Sequence, residues 1–110
     1  MENSYHVIGL MSGTSLDGLD IAFCHFRRKN NRWQFELLAS KSIDYDTVFR
    51  ETLKNTVRLS AEELLLLNNS YGTWLGEQVA NFVSENKISA DFVSSHGHTV
   101  FHQPERGLTY

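Results

Sequence analysis

From Tyr5 to Met11 the chain is apolar almost throughout, which predicts a short buried strand closed by a glycine-containing turn. A second apolar run, Leu19 to Phe26, ends in the polar turn Arg27 to Asn31. Beyond it, Trp33, Phe35, Leu37 and Ala39 alternate with Gln34, Glu36 and Ser40, the period-two pattern of a half-buried strand. Asp17-Gly18 and Lys29-Asn30-Asn31 carry turn chemistry between these runs, so three consecutive antiparallel strands are expected.

The period then changes. Thr47 to Val57 reads as a short helix. Ser60-Ala61-Glu62-Glu63 is a capping box, in which a serine hydroxyl meets a first-turn N–H and a glutamate reaches back to the cap. Leu64, Leu67, Tyr71, Trp74, Leu75, Val79 and Phe82 then recur at helical steps, a core-facing stripe to about Ser84. Gly72 and Gly76 lie one turn apart inside it. Each costs about 1 kcal/mol relative to alanine, so both are expected where another backbone packs close. Ser89 to Ser95 reads as a buried strand that runs out into Ser94-Ser95-His96-Gly97-His98-Thr99. Three strands, a helical stretch and a further strand make a mixed α/β domain.

Composition narrows the class. The 110 residues suffice for one modest core. A charged fraction of 21% with seven Phe, four Tyr and two Trp argues against disorder. The net charge of −3, with no basic cluster larger than Arg27-Arg28-Lys29, speaks against a nucleic-acid partner. Cys24 is the only cysteine, which excludes an intrachain disulfide and a multi-cysteine zinc site; its apolar surroundings predict a small core residue. The apolar stretch from Val7 to Met11 is far shorter than a signal h-region or the ~20 residues of a membrane span. A cytoplasmic location without membrane contact is expected, and a homodimer stays open.

In α/β sheets, ligands gather where strands end in glycine-rich turns, and two segments qualify. The first is Gly9-Leu10-Met11-Ser12-Gly13-Thr14-Ser15-Leu16-Asp17-Gly18-Leu19-Asp20. It is no Walker A loop, because Leu19-Asp20 stand where Lys and Ser/Thr would follow the second glycine. It is no nucleophile elbow, because Ser15 is followed by Leu16-Asp17 rather than by a glycine two residues on. The dinucleotide glycine fingerprint is absent too. A hydroxyl- and glycine-rich turn between strands remains. Its N–H groups and the Ser12, Thr14 and Ser15 hydroxyls can donate to phosphate oxygens. Asp17 and Asp20 tolerate a polyphosphate only with a hard cation such as Mg²⁺ between them, directly or through its waters. The plain alternative is a hairpin loop whose hydroxyls satisfy its own backbone.

That uninterrupted run resembles the N-terminal signature of the anhydro-N-acetylmuramic acid kinases, members of the actin/hexokinase-like sugar-kinase superfamily. Ser95-His96-Gly97-His98-Thr99-Val100-Phe101-His102-Gln103-Pro104 is similar to that family's second motif, with His98 standing where the family pattern has Gln. The resemblance implies a ribonuclease H-like (actin-like ATPase) lobe: a mixed sheet with three antiparallel N-terminal strands, then helices and a further strand. It implies that Gly13, Thr14, Ser15, Leu16, Asp17, Gly18, Leu19 and Asp20 meet the phosphates of ATP, with Mg²⁺ near Asp17 and Asp20. It implies that Gly97, His98 and Thr99 contact the sugar. The activity implied is opening of 1,6-anhydro-N-acetylmuramic acid by water with phosphorylation at O6, in cell-wall recycling. The family's general-base aspartate belongs to a later motif, so no catalytic residue is expected within residues 1–110, and this portion is expected to be inactive alone.

Two bottom-up alternatives accompany this reading. His96, His98 and His102 share parity, which would suit a metal site, but no Asp, Glu or Cys lies between them to complete a ligand set. A ribonuclease H-like nuclease would need clustered carboxylates, one of them on the first strand, and Tyr5 to Met11 has none. A non-catalytic actin-like interaction module is the third reading; it predicts that changing Thr14 or Asp20 leaves turnover intact.

Overall fold

The computed structural model describes residues 3–12 and 17–110. It is an α/β arrangement with a mixed four-stranded sheet in the order β3-β2-β1-β4. Strand β1 (Asn3–Ser12) pairs antiparallel with β2 (Gly18–Lys29), and β2 antiparallel with β3 (Arg32–Asp44). Asn30 and Asn31 make the β2–β3 turn, both at positive φ (53° and 61°), the left-handed region that asparagine tolerates. The expected turn at Arg27 to Asn31 thereby shrinks, because Arg27, Arg28 and Lys29 stay on the ladder opposite Gln34, Trp33 and Arg32.

Helix α1 (Thr47–Lys54) starts from Asp46, whose carboxylate accepts the Phe49 N–H at 2.7 Å. The expected helix to Val57 stops short, and a separate 3-10 turn covers Thr56–Arg58. Helix α2 (Ala61–Asn86) carries the full capping box: Ser60 Oγ accepts the Glu63 N–H at 3.1 Å, and the Glu63 carboxylate accepts the Ser60 N–H at 3.0 Å. It ends at Asn86, two residues beyond the predicted stripe, with Lys87 as its cap in the left-handed conformation (φ 51°). No helix among the described residues is long and apolar enough to cross a membrane.

The stripe of α2 covers one face of the sheet. Phe82, Ile8, Leu19 and Ile21 are the most deeply buried side chains, joined by Leu10, Phe23, Tyr45, Leu53 and Tyr71. Burying each large apolar side chain stabilises the fold by about 1.5–3 kcal/mol. Gly72 and Gly76 do not meet a neighbouring backbone: a Cβ at either would have nothing within 4 Å. Both are exposed, and Gly72 borders the hollow that residues 95–100 line.

Strand β3 departs from its expected half-burial for a definite reason. A register shift between Phe23 and Cys24 leaves Leu38 as an extra residue, with Cys24 opposite Leu37 and Phe23 opposite Ala39. Such a bulge reverses the side-chain faces on its far side. Ala39 and Ile43 therefore pack toward α2, as Lys41 does in reaching Glu85 at 3.0 Å. Trp33, Phe35 and Leu37 turn to the opposite face, where they are 54%, 73% and 55% exposed. Tyr5, Val7, Cys24, Phe26 and Phe92 share that uncovered face, so Cys24 is half-buried in a shallow hollow rather than a core residue.

Strand β4 (Phe92–Ser95) runs parallel to β1 at the sheet edge. Asp91 locks its start, donating its N–H to the His6 carbonyl and accepting the His6 N–H on its carboxylate at 2.6 Å. The strand is shorter than the Ser89 to Ser95 expectation and is exposed, lying at the sheet edge with β1 as its one paired neighbour among the described residues. A small hairpin of β5 (His102–Gln103) and β6 (Leu108–Thr109) follows.

Candidate functional site

Because β1 and β4 are parallel, their C-terminal ends lie at the same end of the sheet. Leu10 sits opposite Ser95, and the His96 N–H donates to the Leu10 carbonyl at 3.0 Å. Both chemically rich segments therefore leave the sheet at one end, the place where open α/β sheets bind ligands. The first leaves β1 at Ser12 and re-enters at Asp17 and Gly18. Gly13, Thr14, Ser15 and Leu16 lie outside the described residues.

Asp17, Gly18 and Asp20 line a small hollow of about 220 Å³ with Ser42 and Asp44. Asp20 accepts a hydrogen bond from Ser42 Oγ at 2.7 Å and is otherwise open to solvent. Gly18 is demanded by its neighbour: a Cβ there would collide with the Ile43 carbonyl oxygen on β3. Leu19 is 1% exposed and points into the core, so only its backbone can face a ligand. Exposed carboxylate oxygens are hard donors that suit a largely hydrated Mg²⁺ sharing its shell with phosphates. Among the described residues no group of three or more His, Cys, Asp or Glu could hold a metal ion by itself.

The second segment borders a hollow of about 550 Å³ between its own loop and the first half of α2, lined by Leu64, Tyr71, His96, His98 and Thr99 among others. Gly97 turns the chain at φ 75°, in the left-handed region. His98 packs inward against Tyr71, ring centroids 6.4 Å apart. Its pKa is lowered, chiefly by burial, with a backbone hydrogen bond to Leu53 opposing the shift. His98 thus favours the neutral ring, able both to donate and to accept. Thr99 is exposed at the rim. The three parity-matched histidines diverge: His96 Nδ1 lies 3.4 Å from the Gly97 carbonyl, and His102 Nδ1 lies 3.3 Å from Thr109 Oγ1.

Comparison with known proteins adds one decisive fact. Residues 5–110 match the family model for anhydro-N-acetylmuramic acid kinase. The chain belongs to the anhydro-N-acetylmuramic acid kinase family. A curated relative of that name from Pseudoalteromonas atlantica is 36% identical over 104 residues, covering 89% of this chain and 26% of the relative. One from Acaryochloris marina is 34% identical over 105 residues, covering 93% and 28% respectively. Another, from Microcystis aeruginosa, is 37% identical over 101 residues, covering 89% and 26%. The chain spans about a quarter of the length of these relatives.

In this portion of the kinase family fold, pattern reading passed over Tyr45. It lies between the alternation of β3 and the cap of α1, and no spacing rule points to it. Its hydroxyl is 2.8 Å from Ser12 Oγ and 2.9 Å from the Tyr71 hydroxyl, all three buried. Tyr71 was visible in the sequence, but only as one member of a helical stripe.

Proposed function

We propose that these residues form the N-terminal part of an ATP-dependent kinase acting on 1,6-anhydro-N-acetylmuramic acid. Water adds at C1, the anhydro bridge opens, and the freed O6 takes the γ-phosphoryl group of ATP. The products are N-acetylmuramic acid 6-phosphate and ADP. The observation that carries the reading is the meeting of two motif segments at one sheet end, inside a family match that covers residues 5–110. The sheet order, with β1 to β3 antiparallel and β4 parallel to β1, supports a ribonuclease H-like, actin-like lobe.

Phosphoryl transfer needs alignment and charge neutralisation more than covalent help from the protein. Gly13 to Asp20 would meet the nucleotide phosphates, with backbone N–H groups and hydroxyls as donors. Asp17 and Asp20 would hold Mg²⁺ through its waters, and the bound ion would neutralise phosphate charge. Gly97, His98 and Thr99 would face the sugar, His98 as a neutral donor and acceptor. None of these residues is assigned the role of general base.

The test uses a protein of the relatives' full length that carries this sequence. Mass spectrometry should show Mg-ATP-dependent conversion of the anhydro sugar to its phosphorylated, ring-opened product. Asp20→Asn should lower turnover by at least about tenfold through lost charge neutralisation. No conversion by the unsubstituted protein would overturn the reading, and full turnover in Asp20→Asn would favour an interaction module instead.

A further inference from the structure

Tyr45 touches both ends of the segment that joins β1 to β2. Its N–H donates to the Asp17 carbonyl at 3.1 Å, and its hydroxyl lies 2.8 Å from Ser12 Oγ. On the far side the same hydroxyl is 2.9 Å from the Tyr71 hydroxyl on α2. Little freedom is left to the ring between these contacts. Phe49 packs edge-on at 5.3 Å between centroids, Trp74 lies equally close, and Tyr45 is 3% exposed. Burial raises the phenol's pKa far above its ordinary value, so the hydroxyl keeps its proton and always has one to donate.

Three hydroxyls in a row can be threaded in two directions. Running from Ser12 to Tyr45 to Tyr71, the chain points the Ser12 proton inward. Running from Tyr71 to Tyr45 to Ser12, it makes Tyr45 the donor and frees the Ser12 proton for another acceptor. An anion beside the end of β1 favours the second direction, because each donation in such a chain strengthens the next. No apolar residue at position 45 could donate to Ser12, whereas the contact with Asp17 is made by the main-chain N–H.

We infer that Tyr45 is a positioning residue for the nucleotide phosphates: it fixes Ser12 and Asp17 at the two ends of the phosphate segment and turns the Ser12 hydroxyl toward the anion. The inference rests on the kinase reading above. Tyr45 touches neither substrate and acts through Ser12.

In the full-length kinase, Tyr45→Phe keeps the ring among Phe49 and Trp74 and removes only the hydroxyl. The KM for ATP should rise about five- to tenfold, the scale of one lost buried hydrogen bond, with sugar KM and kcat at saturating ATP within about twofold. Ser12→Ala should raise the ATP KM similarly, and adding Tyr45→Phe to it should change nothing further, because the two groups act as one unit. An unchanged ATP KM in Tyr45→Phe, or effects of the two substitutions that multiply, would overturn the inference. If the unsubstituted protein shows no turnover, the kinase reading fails, and amide hydrogen exchange tests the positioning role separately. There Tyr45→Phe should speed exchange of the Tyr45 amide at least about tenfold, by freeing the strand ends it clamps. Unchanged exchange would refute it.

Discussion

Gly18→Ala places a methyl group against the backbone of the neighbouring strand. The added Cβ would overlap the Ile43 carbonyl oxygen and sit 3.0 Å from the Ile43 carbonyl carbon and 3.1 Å from Asp44 Cα. All three are main-chain atoms, so no side-chain rotation relieves the contact. The strands must part where Gly18 pairs with Asp44, beside the Tyr45 N–H bond to Asp17. Overpacking of this kind costs about 1–3 kcal/mol. Gly72 and Gly76 provide the internal contrast, since a Cβ at either meets nothing within 4 Å. Alanine there should stabilise α2 by about 1 kcal/mol each, through helix propensity alone. Thermal unfolding followed by far-UV circular dichroism reads all three. At about 4–8 °C per kcal/mol for a domain near this size, Gly18→Ala should lower Tm by about 4–24 °C, and Gly72→Ala should raise it by about 4–8 °C. A Gly18→Ala protein within about 0.5 kcal/mol of the parent would refute the strand-contact argument. Destabilisation at Gly72 or Gly76 would show a close neighbour that the geometry lacks.

Two further outcomes follow from the cap and from the half-buried histidine. Ser60→Ala removes the acceptor for the Glu63 N–H and should cost about 1 kcal/mol in urea unfolding. His98 has its folded pKa depressed below the ordinary 6.5, so the unfolded chain binds more protons as pH falls through that value. Stability should therefore fall on acidification below 6.5, and His98→Gln should flatten that part of the denaturant-midpoint profile; an unchanged profile would remove His98 as the cause.

Helix α2 was the most legible element, because its capping box and stripe are local signals that tertiary packing reinforced. The four strands of the main sheet were legible in chain order, while their ends and the β5–β6 hairpin were not. Charged residues such as Arg27, Arg28 and Lys29 look like turn residues, yet a hairpin ladder keeps them extended while their side chains reach solvent. The face assignment of β3 failed at Leu38. Alternation says that Trp33, Phe35, Leu37 and Ala39 share one face, and a single unpaired residue after Leu37 moves Ala39 to the other. Nothing in composition marks that position, because the bulge is a property of the pair rather than of either strand. Burial of β4 was misjudged for a related reason: an apolar run shows that a strand suits a sheet, not which of its faces this chain covers.

The site divides along the same line. Both segments were visible from glycine, hydroxyl and carboxylate chemistry, but their meeting was not, because it depends on β4 lying parallel to β1. An antiparallel β4 at the same edge would have placed His96 to Thr99 at the opposite end of the sheet, far from Ser12 and Asp17. Parallel pairing needs a long crossover, and α1 with α2 supplies it, so the helix that builds the core also carries the second segment to the first. The same helix brings Tyr71 to the Tyr45 hydroxyl. Tyr45 is thus held by the element that creates the site, which makes the Ser12–Tyr45–Tyr71 chain a consequence of the crossover. Shortening α2 by one turn between Tyr71 and Phe82 would rotate and retract one contact relative to the other, and core and hydroxyl chain should fail together.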